Sequence, residues 1–138
     1  MRKPRILFVD DADEAEHPYQ FYLEHAIPCE VVRASNGHQA LLSARRTAPD
    51  IVLLDLMMPE MDGFETCRRL REDLNLIRVP IIILTKKIGG GPDEKRAFDV
   101  GADLYLHKPI PLDELRRYVL QRLEAAGFVV GDVDAEGR

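Results

Sequence analysis

Ile51-Val52-Leu53-Leu54 is a run of four aliphatic residues that stops at a carboxylate, Asp55. A run this short, with β-branched members, reads as a strand buried on both faces. Asp55 then stands at the strand's carboxyl end, where open α/β sheets gather their ligands. Pro59 and Gly63 follow within eight residues, so the chain turns there and leaves the carboxylate accessible.

The same pattern recurs along the chain. Arg5-Ile6-Leu7-Phe8-Val9 reads as the first strand, Pro80-Ile81-Ile82-Ile83-Leu84 as the fourth and Leu104-Tyr105-Leu106 as the fifth. Glu30-Val31-Val32-Arg33-Ala34, the second, is more polar and suits a sheet edge. Helical segments lie between them. One ends near residue 26. One covers residues 39–47, after an Asn36-Gly37 turn and before Pro49-Asp50, with Ala40, Leu41 and Ala44 on one face. A third covers residues 63–73, with Phe64, Cys67 and Leu70 at helical spacing. A short fourth is capped by Asp93 and stops at Gly101. The last covers residues 112–126, capped by Pro111 or Leu112, with Asp113 and Glu114 near its positive end. Strands alternating with helices predict a doubly wound parallel sheet with helices on both faces. Right-handed crossovers and a polar edge strand favour the order 2-1-3-4-5. Pro18 is tolerated only in a first helical turn, so the first helix is predicted to start near it, with an acidic loop over residues 12–17. Residues 1–126 read as one domain and 127–138 as a C-terminal tail.

A chain of 138 residues with 46% hydrophobic and 31% charged residues describes a single soluble globular domain. The net charge of -5 argues against direct nucleic-acid binding, which wants a basic face. Cys29 and Cys67 lie in no metal-ligand spacing and read as thiols in a reducing compartment. The apolar stretch after the basic N-terminus is too short for a signal peptide or a membrane span, which points to the cytoplasm. His17, His25, His38 and His107 have no ligand spacing and read as structural or surface residues. Gly89-Gly90-Gly91-Pro92 lacks the surroundings of a phosphate loop and reads as a hinge after the fourth strand.

Four strands deliver polar groups to one edge: Asp10-Asp11, Asp55, Thr85, and His107 running into Lys108-Pro109. Three carboxylates in one place repel each other at neutral pH. Mg2+ suits such an oxygen-only set, because it takes one or two carboxylates, keeps waters and accepts a phosphate oxygen. Lys108 adds a positive charge and Thr85 a hydroxyl. The set is suited to neutralising charge on a phosphoryl group that moves onto an Asp carboxylate.

With these residues the chain resembles the receiver domain of bacterial two-component response regulators, of the single-domain, stand-alone type, from about residue 5 to 126. The matching pieces are Asp10-Asp11, Asp55 with Met58-Pro59 and Asp62-Gly63, Thr85, Gly101-Ala102-Asp103, and Tyr105 with Lys108-Pro109. The resemblance implies a flavodoxin-like fold and a phosphorylation-dependent switch with Asp55 as phosphoacceptor. It implies that Asp11 holds Mg2+ directly, Asp10 largely through water, and Met57 through its backbone carbonyl, with Asp55 completing the set. Thr85 becomes the switch hydroxyl, Lys108 the phosphate-pairing lysine and Tyr105 the aromatic switch residue, with a cis Lys108-Pro109 bond. A histidine kinase or phosphotransfer protein is the implied donor. Output to a downstream protein would pass through the fourth helix, fifth strand and fifth helix, a face that could also pair symmetrically in a homodimer.

One departure stands out. The residue after Thr85 is usually small in receivers; here it is Lys86, followed by Lys87. A rival reading is a phosphohydrolase of the haloacid dehalogenase type, since Asp11-Ala12-Asp13 has the spacing of that family's nucleophile pair. A third is a receiver fold serving as an unphosphorylated scaffold.

Overall fold

In the computed structural model, which describes residues 2–12, 17–86 and 91–130, five strands form one parallel sheet. They are β1 (Arg5–Val9), β2 (Glu30–Ala34), β3 (Ile51–Leu54), β4 (Ile81–Thr85) and β5 (Leu104–His107), in the order β2-β1-β3-β4-β5. The helices are α1 (Pro18–Ala26), α2 (Gly37–Arg46), α3 (Gly63–Glu72), α4 (Gly91–Asp99) and α5 (Leu112–Ala125). The doubly wound fold and its strand order are those the sequence predicts, with polar β2 at an edge.

Side chains alternate across a strand with period two, and the two rows bury against different helices. Leu7 and Val9, Val52 and Leu54, Ile81 and Ile83, and Tyr105 pack with Ala40, Leu41 and Ala44 of α2, Phe64, Cys67 and Leu70 of α3, and Ala97 of α4. Ile6 and Phe8, Ile51 and Leu53, Ile82 and Leu84 pack with Leu23 of α1 and Leu115, Val119 and Leu123 of α5. Both faces are covered, which is why the central strands read as continuous apolar runs rather than alternating ones.

Element boundaries differ from the sequence reading in physically legible ways. α1 does start at Pro18, with His17 as its cap; residues 13–16 of the proposed acidic loop lie outside the described residues. Asn36 is not half of a free turn. Its side chain accepts the Gln39 N–H at 2.8 Å, so α2 begins at Gly37, two residues early. Asp93 lies in the first turn of α4 and is not its cap, because that helix begins at Gly91. Gly89, Gly90 and Lys87 lie outside the described residues. Pro80 has no N–H to give a ladder and falls just before β4, which instead runs on to Thr85. Pro111 caps α5 without a side-chain bond. Beyond that helix, Phe128 and Val130 pack against the α1/α5 layer. Cys29 and Cys67 are free thiols, half-buried and buried, and burial pushes both up to about 11.

The edge of the sheet opposite Asp55 is tied by Arg71 of α3. Its guanidinium donates to the carbonyls of Leu76 and Val79 at 2.5 Å and of Gly101 at 2.8 Å, and to the Asp103 carboxylate at 3.0 Å. The same Asp103 oxygen accepts the Ile81 N–H at 2.8 Å. One side chain thus fixes the approach to β4 and the approach to β5. Gly101, at φ +109°, makes the turn between α4 and β5 that an L side chain would strain. Arg71→Ala leaves several carbonyls short of a donor and should lower the unfolding free energy by about 2–3 kcal/mol in urea titration. A loss under about 0.5 kcal/mol, ordinary for a surface site, would show the network to be incidental.

Candidate functional site

The polar groups at the carboxyl edge continue the strand rows. Ile6 and Phe8 lead to Asp10, Ile51 and Leu53 to Asp55, Ile82 and Leu84 to Lys86, and Leu104 and Leu106 to Lys108. Each is the next residue on the α1/α5-facing row, one step past its strand. All four line one open cleft of about 780 Å³, with Asp11, His17, Tyr19 and Met57.

Two of the carboxylates are aimed by the same local device. The Asp10 carboxylate accepts the Ala12 N–H at 2.8 Å, and the Asp55 carboxylate accepts the Met57 N–H at 3.1 Å. A strand-end Asp that bonds the amide two residues on turns the chain out of the strand and fixes its own rotamer. Gly63, where α3 starts, completes the second turn. A Cβ there would lie 2.3 Å from the Asp55 carbonyl oxygen and 2.7 Å from the Leu56 Cα, so only glycine lets α3 approach this closely.

Asp10, Asp11 and Asp55 each offer an oxygen, and these oxygens lie within 4.8 Å of one another. Lys108 Nζ is 2.5 Å from Asp10 Oδ2 and 3.7 Å from Asp55 Oδ2. Burial by itself would raise the Asp10 carboxyl. The Lys108 ammonium, the Ala12 N–H and His17 outweigh burial and hold it below its ordinary value. Its contribution to stability is therefore present above about pH 4 and lost as the pH falls through the depressed value. Asp10 is compensated by Lys108, whereas Asp11 is exposed to solvent and Asp55 is half-buried. An all-oxygen donor set with spare negative charge fits a hard divalent cation such as Mg2+.

Thr85 and Tyr105 belong to the other row. Ile83 pairs with Tyr105 and Thr85 with His107, so Tyr105 lies one step behind Thr85 on the α4-facing side of the sheet. Thr85 is fully buried, and its carbonyl accepts the Lys108 N–H at 2.9 Å, tying the ends of β4 and β5 together. The Tyr105 ring is 9% exposed and meets His107 edge-on at 5.3 Å. Its buried hydroxyl has no hydrogen-bond partner among the described residues. Burial, with Asp93 and Glu94 of α4, pushes its phenol up. The Lys108–Pro109 peptide bond is cis. Lys86 is exposed and reaches the cleft from the end of β4.

Two residues of the site escaped the sequence reading. Of the two readings of His17, structural or surface, it is the structural one that holds, though its place beside Asp10 was not foreseen. It is buried, it caps α1, and its Nε2 lies 3.4 Å from Asp10 Oδ2. The cue was its place before Pro18, since a proline in the first turn makes residue 17 the cap. Arg33 sits opposite Phe8 in the edge pairing. Its guanidinium donates to the Asp10 carbonyl at 3.0 Å and the Ala12 carbonyl at 2.5 Å, bracing the turn from Asp10 to Ala12. That role follows from strand register, which a single sequence does not display. His25, His38 and His107 are exposed, as expected.

The model of the response regulator receiver domain matches residues 6–120. The chain is 38% identical over 112 residues to the DNA-binding dual master transcriptional regulator RpaA of Synechocystis, covering 81% of this chain and 46% of that one. It is 40% identical over 112 residues to the response regulator PleD of Caulobacter vibrioides, covering 77% of this chain and 23% of that one. The chain therefore spans about half or less of the length of these curated relatives. Among solved structures, the chemotaxis protein CheY4 of Vibrio cholerae superposes with a TM-score of 0.78 at 30% identity, covering 88% of this chain and 99% of the other. The receiver domain of a Syntrophus aciditrophicus signal-transduction histidine kinase gives 0.80 at 29% identity, covering 91% and 94%. The chain belongs to the response regulator receiver family, whose function is that of a phosphorylation-dependent signalling switch. The phosphohydrolase reading is not favoured. Receiver domains accept phosphoryl groups from histidine kinases and bind Mg2+ at an acidic pocket. No helix among the described residues is long and apolar enough to cross a membrane.

The Tyr105 hydroxyl, without a partner among the described residues, gives a direct test of this geometry. Tyr105→Phe removes a buried polar group without opening a cavity, so the variant should be at least as stable as the parent, by up to about 1 kcal/mol in urea titration. A loss of stability would show that the hydroxyl is bonded.

Proposed function

We propose that Asp55 accepts a phosphoryl group from a sensor histidine kinase or a phosphotransfer protein. The supporting observation is the convergence of Asp10, Asp11, Asp55 and Lys108 in one cleft at the carboxyl edge of the sheet. A carboxylate oxygen of Asp55 attacks phosphorus in line, an acyl phosphate P–O bond forms, and the bond to the donor atom breaks. Asp11, Asp55 and the Met57 carbonyl would hold Mg2+, with Asp10 acting on it largely through water. When bound, the cation neutralises charge on the transferring phosphoryl oxygens. Lys108 can leave Asp10 for a phosphoryl oxygen, because Asp55 Oδ2 is already only 3.7 Å away. The chain catalyses only its own aspartyl phosphorylation and dephosphorylation.

The phosphoryl group adds roughly -1.5 to -2 charges. Thr85 would turn its hydroxyl toward it, and Tyr105, next on the same row, would follow. The change would appear on α4, β5 and α5, the face proposed for the downstream protein and for a homodimer. Residues 1–126 would carry this function and 127–138 would be a tail. We place the protein in the cytoplasm and off nucleic acid, given its net charge of -5.

Asp55→Asn should abolish labelling by acetyl phosphate or a cognate kinase, read by mass spectrometry and phosphate-affinity gels. Labelling of the Asn variant at the parent's level would sink the assignment. Lys86, at the cleft mouth, would pair with the phosphoryl group and restrict water. Lys86→Ala should therefore shorten the aspartyl-phosphate lifetime roughly two- to five-fold, the worth of an exposed ion pair. Equal lifetimes would remove Lys86 from the mechanism.

A further inference from the structure

We propose that His17 is a positioning residue for the Asp10–Lys108 pair and, through that pair, for the cation; this rests on the phosphoacceptor reading above. The first observation is the state of the ring. The Tyr19 N–H donates to His17 Nδ1 at 3.2 Å, so Nδ1 carries no proton and the neutral ring carries its proton on Nε2. Nε2 lies 3.4 Å from Asp10 Oδ2, the oxygen that Lys108 also holds. The other oxygen, Oδ1, is taken by the Ala12 N–H. Asp10 thus has donors at both oxygens, which suits it to act on a cation through water and leaves direct ligation to Asp11 and Asp55.

The second observation is how the ring is held. His17 is 7% exposed, tilted against Phe8 at 4.9 Å and stacked on Tyr19 at 5.4 Å. The Tyr19 hydroxyl accepts the Ile110 N–H at 3.0 Å. Ile110 lies two residues beyond Lys108. One short segment at the start of α1 therefore touches both the carboxylate that ends β1 and the loop that carries the lysine after β5. Helix capping requires only Nδ1. It does not require Nε2 to face Asp10, nor Tyr19 to reach Ile110. The contact at 3.4 Å is too long for a strong bond, so its effect is to aim and crowd the carboxylate more than to anchor it.

Three versions of the full chain test this: the parent, His17→Phe, which keeps ring volume without a donor, and His17→Gln, whose amide N–H can stand where Nε2–H stood. Mg2+ affinity is measured by calorimetry on the unphosphorylated protein, and the acetyl phosphate dependence of Asp55 labelling is measured separately. His17→Phe should weaken Mg2+ binding about ten-fold, and His17→Gln should restore it to within about two-fold, as expected when a group orients the residues around a metal. In the parent, the protonated Nε2 of His17 should shift in 15N NMR as Mg2+ is titrated, a readout that needs no variant. Parent-like affinity in His17→Phe, equal losses in both variants, an unmoved Nε2 signal, or a parent that binds no Mg2+ would each overturn the proposal. A parent that binds Mg2+ but is never labelled at Asp55, with His17→Phe still weakened, would sink the phosphoacceptor reading and support the role of His17.

Discussion

The ion pair between Asp10 and Lys108 is the contact on which the site depends. The two residues follow β1 and β5, which are not neighbours; β3 and β4 lie between them in the sheet. Their side chains are 4% and 6% exposed. Two charges withdrawn from water this far are tolerated only where further hydrogen bonds and good geometry offset the desolvation. Asp10 finds them in the Ala12 N–H and beside His17, while Arg33 secures the carbonyls of the same turn. The pair draws the ends of β1 and β5 together over the end of β3, and so fixes where Asp55 stands relative to the other carboxylates and the ammonium. Asp55 needs little scaffolding of its own beyond the Met57 amide and the space that Gly63 leaves.

How much of this could be read from the chain follows from which physical rule sets each residue. Asp10, Asp55 and Lys108 were legible because each is the first residue past a strand, and period two then places each on the same face as its row. The order of the strands was legible because only Glu30-Val31-Val32-Arg33-Ala34 is polar enough for an edge. Helix starts were less so. Asn36 reads as half of a turn and Asp93 as a cap, but a cap is decided by where the preceding loop delivers the chain, and it is Asn36 that takes that place. His17 and Arg33 were missed for a related reason. Their contacts with Asp10 depend on a loop's path and on the pairing of Phe8 with Arg33, neither of which has a local pattern.

Period two also separates the residues proposed for the chemistry from those proposed for the readout. Asp10, Asp55, Lys86 and Lys108 extend the row that faces α1 and α5, whereas Thr85 and Tyr105 extend the row that faces α4. If Asp55 is the phosphoacceptor, as proposed, a signal that begins there would have to cross the sheet, and the end of β4 is the place where it could. Thr85 is adjacent in sequence to Lys86 of the first row and stands on the second, and its backbone carbonyl holds the Lys108 amide. The ends of β4 and β5 are thereby held together at the residue that stands between the two rows.

The Tyr105 hydroxyl bears on whether that crossing can switch. A buried hydroxyl without a partner among the described residues costs about 1–3 kcal/mol relative to a bonded one. Opposing it is the burial of the ring, worth about 1.5–3 kcal/mol for a side chain of this size. On the proposed reading, two terms of similar magnitude would keep an outward position of Tyr105 within reach of the inward one. A small bias from Thr85 would then suffice to shift the population, because a two-state element responds most to a weak input when its states are nearly balanced. A residue held inward by a strong hydrogen bond would be more stable and a poorer switch. On the proposed reading, the unsatisfied hydroxyl is the feature that lets phosphorylation at one face be read at the other.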